Sequence, residues 1–285
     1  RCRIDSDAGG PGKMKPILRL PIFDQGLQRL LDVLRPEDWA GLECSAELLD
    51  LEDGWEDLLD GYGMPLVSLV NLIPANVSRY LAEAGRLARQ AMNRHLKAQV
   101  ERAAAVGVQR FCLDVGADRT TAGPEEETTH DDLMEARAQV FRVLVEACEP
   151  LGMTCCIPRR VPSYRMAEMA DHAAILMQRV NHANCRLALN VYLDELKPDF
   201  QPDRLLGYLY PYLGMIRLHY EPGLGQALRA QTLVSWEAAI NQVGAAIPII
   251  LCPGLRDVDL AIHEIGRLRG LLSKADDDSD HSGFW

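Results

Sequence analysis

The stretch Arg186–Tyr220, RLALNVYLDELKPDFQPDRLLGYLYPYLGMIRLHY, holds the repeating unit from which the fold is read. RLALNVY (186–192) is a short β-rich run, and the Asp203–Tyr212 region carries a helical pattern. MIRLHY (215–220) is a second β-rich run. Strand, helix and strand at this spacing suggest a β–α–β crossover, the connection that parallel strands require.

The same unit recurs in both directions. Upstream lie strands expected at Met153–Ile157, Gln109–Val115, Pro65–Asn71, Gly41–Ser45 and Ile17–Phe23. Their helices are expected over Tyr164–Val180, Asp131–Pro150, Asn76–Val106, Ala46–Leu59 and Gln25–Leu34. Gly107 and Gly152 stand where two of these helices would end. Thr128 or Thr129 can cap the Asp131 helix, with Asp131 or Asp132 three residues on. Downstream follow a helix around Ala230–Val243, a strand at Ile247–Cys252 and a helix over Asp257–Ser273. Eight β–α units in about 260 patterned residues predict an α/β fold, a single (β/α)8 TIM barrel of the usual ~250 residues. A doubly wound sheet would usually carry G-x-G-x-x-G after its first strand, and none stands there. Gly223-Leu224-Gly225 lacks the third glycine and follows the seventh strand. One barrel is expected over residues 14–274, between a disordered N-terminal tail (1–13) and an acidic C-terminal tail (275–285).

Composition narrows the function. The 285 residues are 48% hydrophobic and 25% charged, ordinary globular values. Thirty Lys+Arg against 41 Asp+Glu leave a net charge of −11, which argues against nucleic acid and anionic membranes as partners. The longest apolar run, Val243–Cys252, is about half of a membrane span. Eight cysteines show no C-x-x-C and no zinc spacing. Cys112, Cys155, Cys156, Cys185 and Cys252 lie in apolar runs, as buried reduced thiols do, so a cytoplasmic setting is expected. None of the five lysines (Lys13, Lys15, Lys97, Lys197, Lys274) falls within an expected strand, which disfavours a Schiff-base aldolase.

In a barrel, chemistry sits at the C-terminal ends of the strands. The candidates there are Asp114 after strand four, Arg159, Arg160 and Arg165 after strand five, and Asn190 and Tyr192 on strand six. Strand seven ends in His219-Tyr220-Glu221. His219 and Glu221, two apart, would share a face in an extended chain and could form an acid–base unit. His219 could equally be a hydrogen-bonded structural histidine. Arginine forks suit carboxylate and phosphate. Arg159 and Arg160 would therefore bind an anionic ligand, or else pair with Glu125–Glu127 or with Asp194 and Glu195. Asp114 is placed either to project inward or to cap its loop, Asn190 suits a ligand hydroxyl or a neighbouring strand, and Cys252 reads as core.

The strand–helix spacing, the long third helix leading into Gly107–Val115 and the run Leu187–His219 resemble the xylose-isomerase-like barrels, which include sugar and sugar-phosphate isomerases and epimerases. That resemblance implies a divalent metal (Mn²⁺, Mg²⁺ or Zn²⁺) that acidifies a hydroxy-carbonyl substrate while carboxylates move the proton. Its ligands would be a Glu ending strand five, an Asp ending strand six, His residues after strands six or seven, and a Glu ending strand eight. Here those positions carry Pro158, Asn190, Leu193 (near the first His), His219, and Cys252 or Pro253. Three carboxylates are absent, so no metal ligands are assigned.

The expected function is a sugar isomerase- or epimerase-like barrel for a small sugar, sugar phosphate or sugar acid. His219 or Glu221 would act as base, and Asp114, Arg159, Arg160, Asn190 and Tyr192 would bind the ligand. The alternative is a non-catalytic descendant that binds a ligand or a protein. Endonuclease action is disfavoured by the charge. The resemblance also implies homo-oligomers, because many barrels of the group associate through outer helices or loops.

Overall fold

The computed structural model describes residues 15–20, 26–50, 55–71, 86–112, 130–161, 166–197, 200–222, 230–243 and 247–281. Eight parallel strands close into a barrel in sequence order, β1 pairing with both β2 and β8. They are β1 (Ile17–Arg19), β2 (Gly41–Ser45), β3 (Leu66–Val70), β4 (Arg110–Cys112), β5 (Thr154–Arg160), β6 (Cys185–Tyr192), β7 (Leu213–Tyr220) and β8 (Ile249–Pro253). The described helices are α1 (Leu27–Leu31), α2 (Trp55–Gly61), α3 (Arg86–Ala105), α4 (His130–Cys148), α5 (Met166–Val180), α6 (Pro202–Leu209), α7 (Ala230–Val243) and α8 (Val258–His281). One helix follows each strand, so the (β/α)8 reading holds. The last helix runs past Lys274, where the sequence suggested an acidic tail.

The core has two parts because each strand is covered on both faces. Outside the barrel, strand residues such as Leu42, Phe111, Ile157, Leu189 and Leu218 pack against the helices. On α5 the buried positions Ala170, Ala173, Leu176, Met177 and Val180 form one stripe at helical spacing. Inside, Ile17, Val70, Cys112, Cys156, Ala188, Met215, Ile250 and Cys252 form a separate cluster. Side chains of alternate strand residues fill the barrel in this way, layer on layer. The C-terminal end of α3 follows from Gly107, whose φ of +85° lets the Val108 N–H reach back to the Ala103 carbonyl at 3.1 Å.

Register places the site. Asn190 stands level with Arg217, Tyr192 with His219, His219 with Cys252, and Arg19 with Glu43. Buried polar side chains therefore enter the barrel just beneath its C-terminal mouth.

Candidate functional site at the barrel mouth

Four buried polar residues, Glu43 on β2, Ser68 on β3, Asn190 on β6 and Arg217 on β7, form a network across the barrel interior. Glu43 Oε1 accepts from Arg217 Nε at 3.1 Å and from Nη2 at 2.8 Å, and Oε2 accepts from Ser68 Oγ at 2.9 Å. Arg217 Nη1 donates to Asn190 Oδ1 at 3.2 Å and faces the Cys112 sulfur at 3.7 Å. Burial works against the Arg217 charge, but Glu43 more than offsets it, so its pKa rises above the ordinary arginine value.

This network decides the state of His219. Arginine has only donors, so Asn190 must turn its carbonyl oxygen toward Arg217. The same oxygen lies 2.9 Å from His219 Nε2, which must therefore carry a proton. Nδ1 is left as the acceptor nitrogen of the ring. Burial, followed by the positive charges of Arg217, Arg19 and Arg160, pushes the His219 pKa down to about 2. The imidazole is neutral at any physiological pH. Asn190 Nδ2 is buried and finds no acceptor among the described residues.

Above this layer opens a cleft of about 340 Å³, lined by Arg19, Ser45, Tyr192, Asp194, His219 and Glu221, with Cys252 to Leu255 on one side. Its volume is at the small end of the ~300–1,000 Å³ typical of ligand pockets. His219 stacks on Tyr192, centroids 4.6 Å apart and rings 15° from parallel. The Arg160 guanidinium lies 4.6 Å over the Tyr192 ring and pairs with Glu195 through Nε and Nη2. Glu221 lies against the backbone of Gly254, so close that a Cβ there would collide with its carboxylate. Arg256, mostly exposed, approaches the same carboxylate at 3.8 Å.

The structure thus gathers Tyr192, His219 and Glu221 around one cleft, with Asn190 directly beneath, in contact with His219. Asp114 and Arg165 lie outside the described residues. The arginine pair is corrected. β5 runs on to Arg160, so Arg159 and Arg160 are strand neighbours on opposite faces rather than a forked pair on a loop. Arg159 falls on the side of Cys155 and Ile157, toward the helices, and does not line the cleft. Arg160 faces the mouth, where Glu195 engages it, which is the pairing the sequence offered as the alternative to an anionic ligand. The residues missed from sequence are Glu43, Ser68, Arg217, Arg19 and Ser45. For Glu43 and Arg217 the available signal was a charged residue inside an apolar strand, GLECS and MIRLHY.

Among the described residues, no group of three or more His, Cys, Asp and Glu could hold a metal ion. Pro158 and Cys252 bring no hard oxygen, and Asn190 Oδ1 is already taken by two N–H donors. A guanidinium occupies the layer directly below. These residues do not suit a divalent cation, which needs several anionic oxygens.

No protein-family model matches the sequence, and no curated protein matches it by sequence. Solved structures do match in shape. A 3-keto-D-glucoside 4-epimerase from E. coli superposes with a TM-score of 0.68 at 15% identity, covering 92% of this chain and 100% of that one. An L-ribulose 3-epimerase gives 0.65 at 13% identity, covering 94% and 98%. A xylose isomerase domain protein from Alicyclobacillus acidocaldarius gives 0.63 at 13% identity, covering 93% and 100%. The chain has the fold of the xylose-isomerase-like (β/α)8 barrels.

Proposed function

We propose that this chain is a sugar isomerase- or epimerase-like barrel that binds a small sugar, sugar phosphate or sugar acid at its C-terminal mouth without a divalent cation. The observation that carries the reading is the cleft over the Glu43–Arg217–Asn190–His219 network, with Glu221 and Asp194 on its wall. The sugar epimerases among its structural neighbours support the substrate class.

Of the two candidate bases, Glu221 suits the task. The His219 imidazole is too weakly basic to take a carbon-bound proton, which leaves the Glu221 carboxylate on the cleft wall. The Glu221 carboxylate takes the proton from the carbon beside the substrate carbonyl and delivers it to the former carbonyl carbon, while the hydroxyl proton of the enediol passes to the other oxygen, so that aldose and ketose interconvert. His219 stays neutral, accepts a substrate hydroxyl proton at Nδ1 as a hydrogen bond, and is held in that tautomer by Asn190. Tyr192 walls the site by stacking on the imidazole.

A second reading is a non-catalytic descendant that binds its ligand, or a protein, without turning it over. The depressed basicity of His219 and the non-carboxylate residues at 158, 190 and 252 favour it. Incubation with ketoses in D₂O, followed by proton NMR, separates the two. The enzyme reading expects deuterium at the carbon beside the carbonyl, insensitive to EDTA and lost in Glu221→Gln. Saturable binding without exchange supports the second reading, and exchange abolished by EDTA overturns the metal-free one. No described helix is long and apolar enough to cross a membrane. The seven described cysteines are all buried free thiols, which supports a reducing, cytoplasmic setting. Homo-oligomers remain part of the proposal by analogy with barrels of this fold.

A further inference from the structure

The charge at the floor of the cleft does not balance. Arg19 on β1 stands in register with Glu43 on β2, the obvious carboxylate for it. Both oxygens of Glu43 are committed elsewhere, Oε1 to Arg217 and Oε2 to Ser68. Two guanidinium groups thus share one carboxylate, and Arg217 holds it. Among the described residues no carboxylate lies within ion-pair distance of Arg19. Two other described arginines near the mouth have carboxylate partners, Arg160 in Glu195 and Arg256 in Glu221. Arg19 is half-buried and lines the cleft. Beside it, on β2, the Ser45 hydroxyl accepts a 3.5 Å contact from the Glu47 N–H and, among the described residues, keeps its own proton to donate.

We infer that Arg19 and Ser45 form the subsite for an anionic group on the ligand, a carboxylate or a phosphate, so that the substrate is a sugar acid or sugar phosphate rather than a neutral sugar. A guanidinium fork matches either group with two parallel hydrogen bonds. The ligand then lies across the mouth. Its charged end rests on the β1–β2 side, and its hydroxyls face Asp194, His219 and Glu221 on the β6–β7 side. A chain carrying a net charge of −11 gains little from a general attraction to anions, so an arginine without a carboxylate partner among the described residues, in a cleft lined by β1, β2 and β6–β8 residues, is a local device. The inference moves the anion site from Arg159–Arg160, where the sequence suggested it, to the opposite side of the barrel.

This inference rests on the sugar-binding reading above, and calorimetry on the full chain tells the two apart. The probes are D-fructose, D-gluconate, D-fructose 6-phosphate and inorganic phosphate, titrated into wild type, Arg19→Gln and Arg19→Lys. D-gluconate or the sugar phosphate should bind about tenfold to a hundredfold more tightly than D-fructose. That preference should vanish in Arg19→Gln, while Arg19→Lys keeps part of it. Whichever of gluconate and fructose 6-phosphate wins identifies the anion. Circular dichroism and thermal melting establish that both variants fold, and the lysine variant carries the test if glutamine does not. Equal binding of neutral and anionic probes, or anion binding unchanged in both variants, overturns the inference and leaves the sugar reading standing. Phosphate binding that depends on Arg19 while no sugar binds upholds the anion subsite and overturns the sugar reading. Absence of binding by every anionic probe overturns the inference.

Discussion

Arg217 of β7 and Glu43 of β2 meet inside the barrel, Nη2 to Oε1 at 2.8 Å, with both side chains sealed from solvent. The pair crosses the interior between strands that are not neighbours in the sheet. A buried pair of this kind adds little net stability over an apolar pair, but losing one member leaves an uncompensated charge. Its value lies in the ordering it imposes: Glu43 fixes Arg217, Arg217 fixes the Asn190 amide, and Asn190 fixes the His219 tautomer.

Removing Glu43 should therefore cost far more than removing the pair. Glu43→Ala is expected to lower the unfolding free energy by about 3–5 kcal/mol, whereas Glu43→Leu combined with Arg217→Met recovers most of that loss. Urea unfolding of the single and double variants decides it. A single variant within about 0.5 kcal/mol of wild type would show that the charge is not buried as described.

Acid should weaken the fold through His219. Folded, the imidazole stays neutral down to about pH 2, whereas its ordinary pKa is 6.5. Below pH 6.5 the unfolded chain takes up a proton that the folded chain refuses. The contribution is thus intact above pH 6.5 and is lost as the pH falls toward 2, at up to about 1.4 kcal/mol per pH unit. Urea midpoints at pH 7, 6 and 5 should fall for wild type and fall less steeply for His219→Gln. Parallel slopes for the two proteins would mean that His219 protonates freely in the fold.

Gly254 should matter through Glu221. An added Cβ collides with the Glu221 carboxylate, so Gly254→Ala must turn that side chain away from the cleft wall. Ligand binding or proton exchange should drop about tenfold or more, on the scale of one misplaced charged contact. Gly61→Ala, where nothing lies within 4 Å of the added methyl, is the control and should change neither. Unchanged exchange in Gly254→Ala would remove Glu221 from the proton-transfer role.

Much of the fold was legible because it depends on local pattern. The β2 stretch Gly41–Ser45 coincides in sequence and structure, since it is bounded by its own periodicity and breakers, and the expected helix around Ala230–Val243 is helical throughout. β5 was read too short: Pro158 and two arginines look like a loop, yet the strand continues because its neighbour β6 offers a ladder through Asn190. That extension reversed the meaning of Arg159, and no local rule could have shown it. His219 and Glu221 were found because a strand end is a position in the sequence. The partners that determine their behaviour come from elsewhere in the chain.

The sequence by itself determined the eight β–α units, and with them the barrel, because hydrophobic period and turn residues act over a few neighbours. Only the tertiary structure decided that Glu43 belongs to Arg217 rather than to its register partner Arg19, that His219 is neutral, and that Arg19 faces the cleft with no carboxylate partner among the described residues. Those outcomes depend on which charges a closed barrel brings within 3 Å in a space without water. They are separated by as many as 174 residues along the chain, beyond the reach of any local pattern.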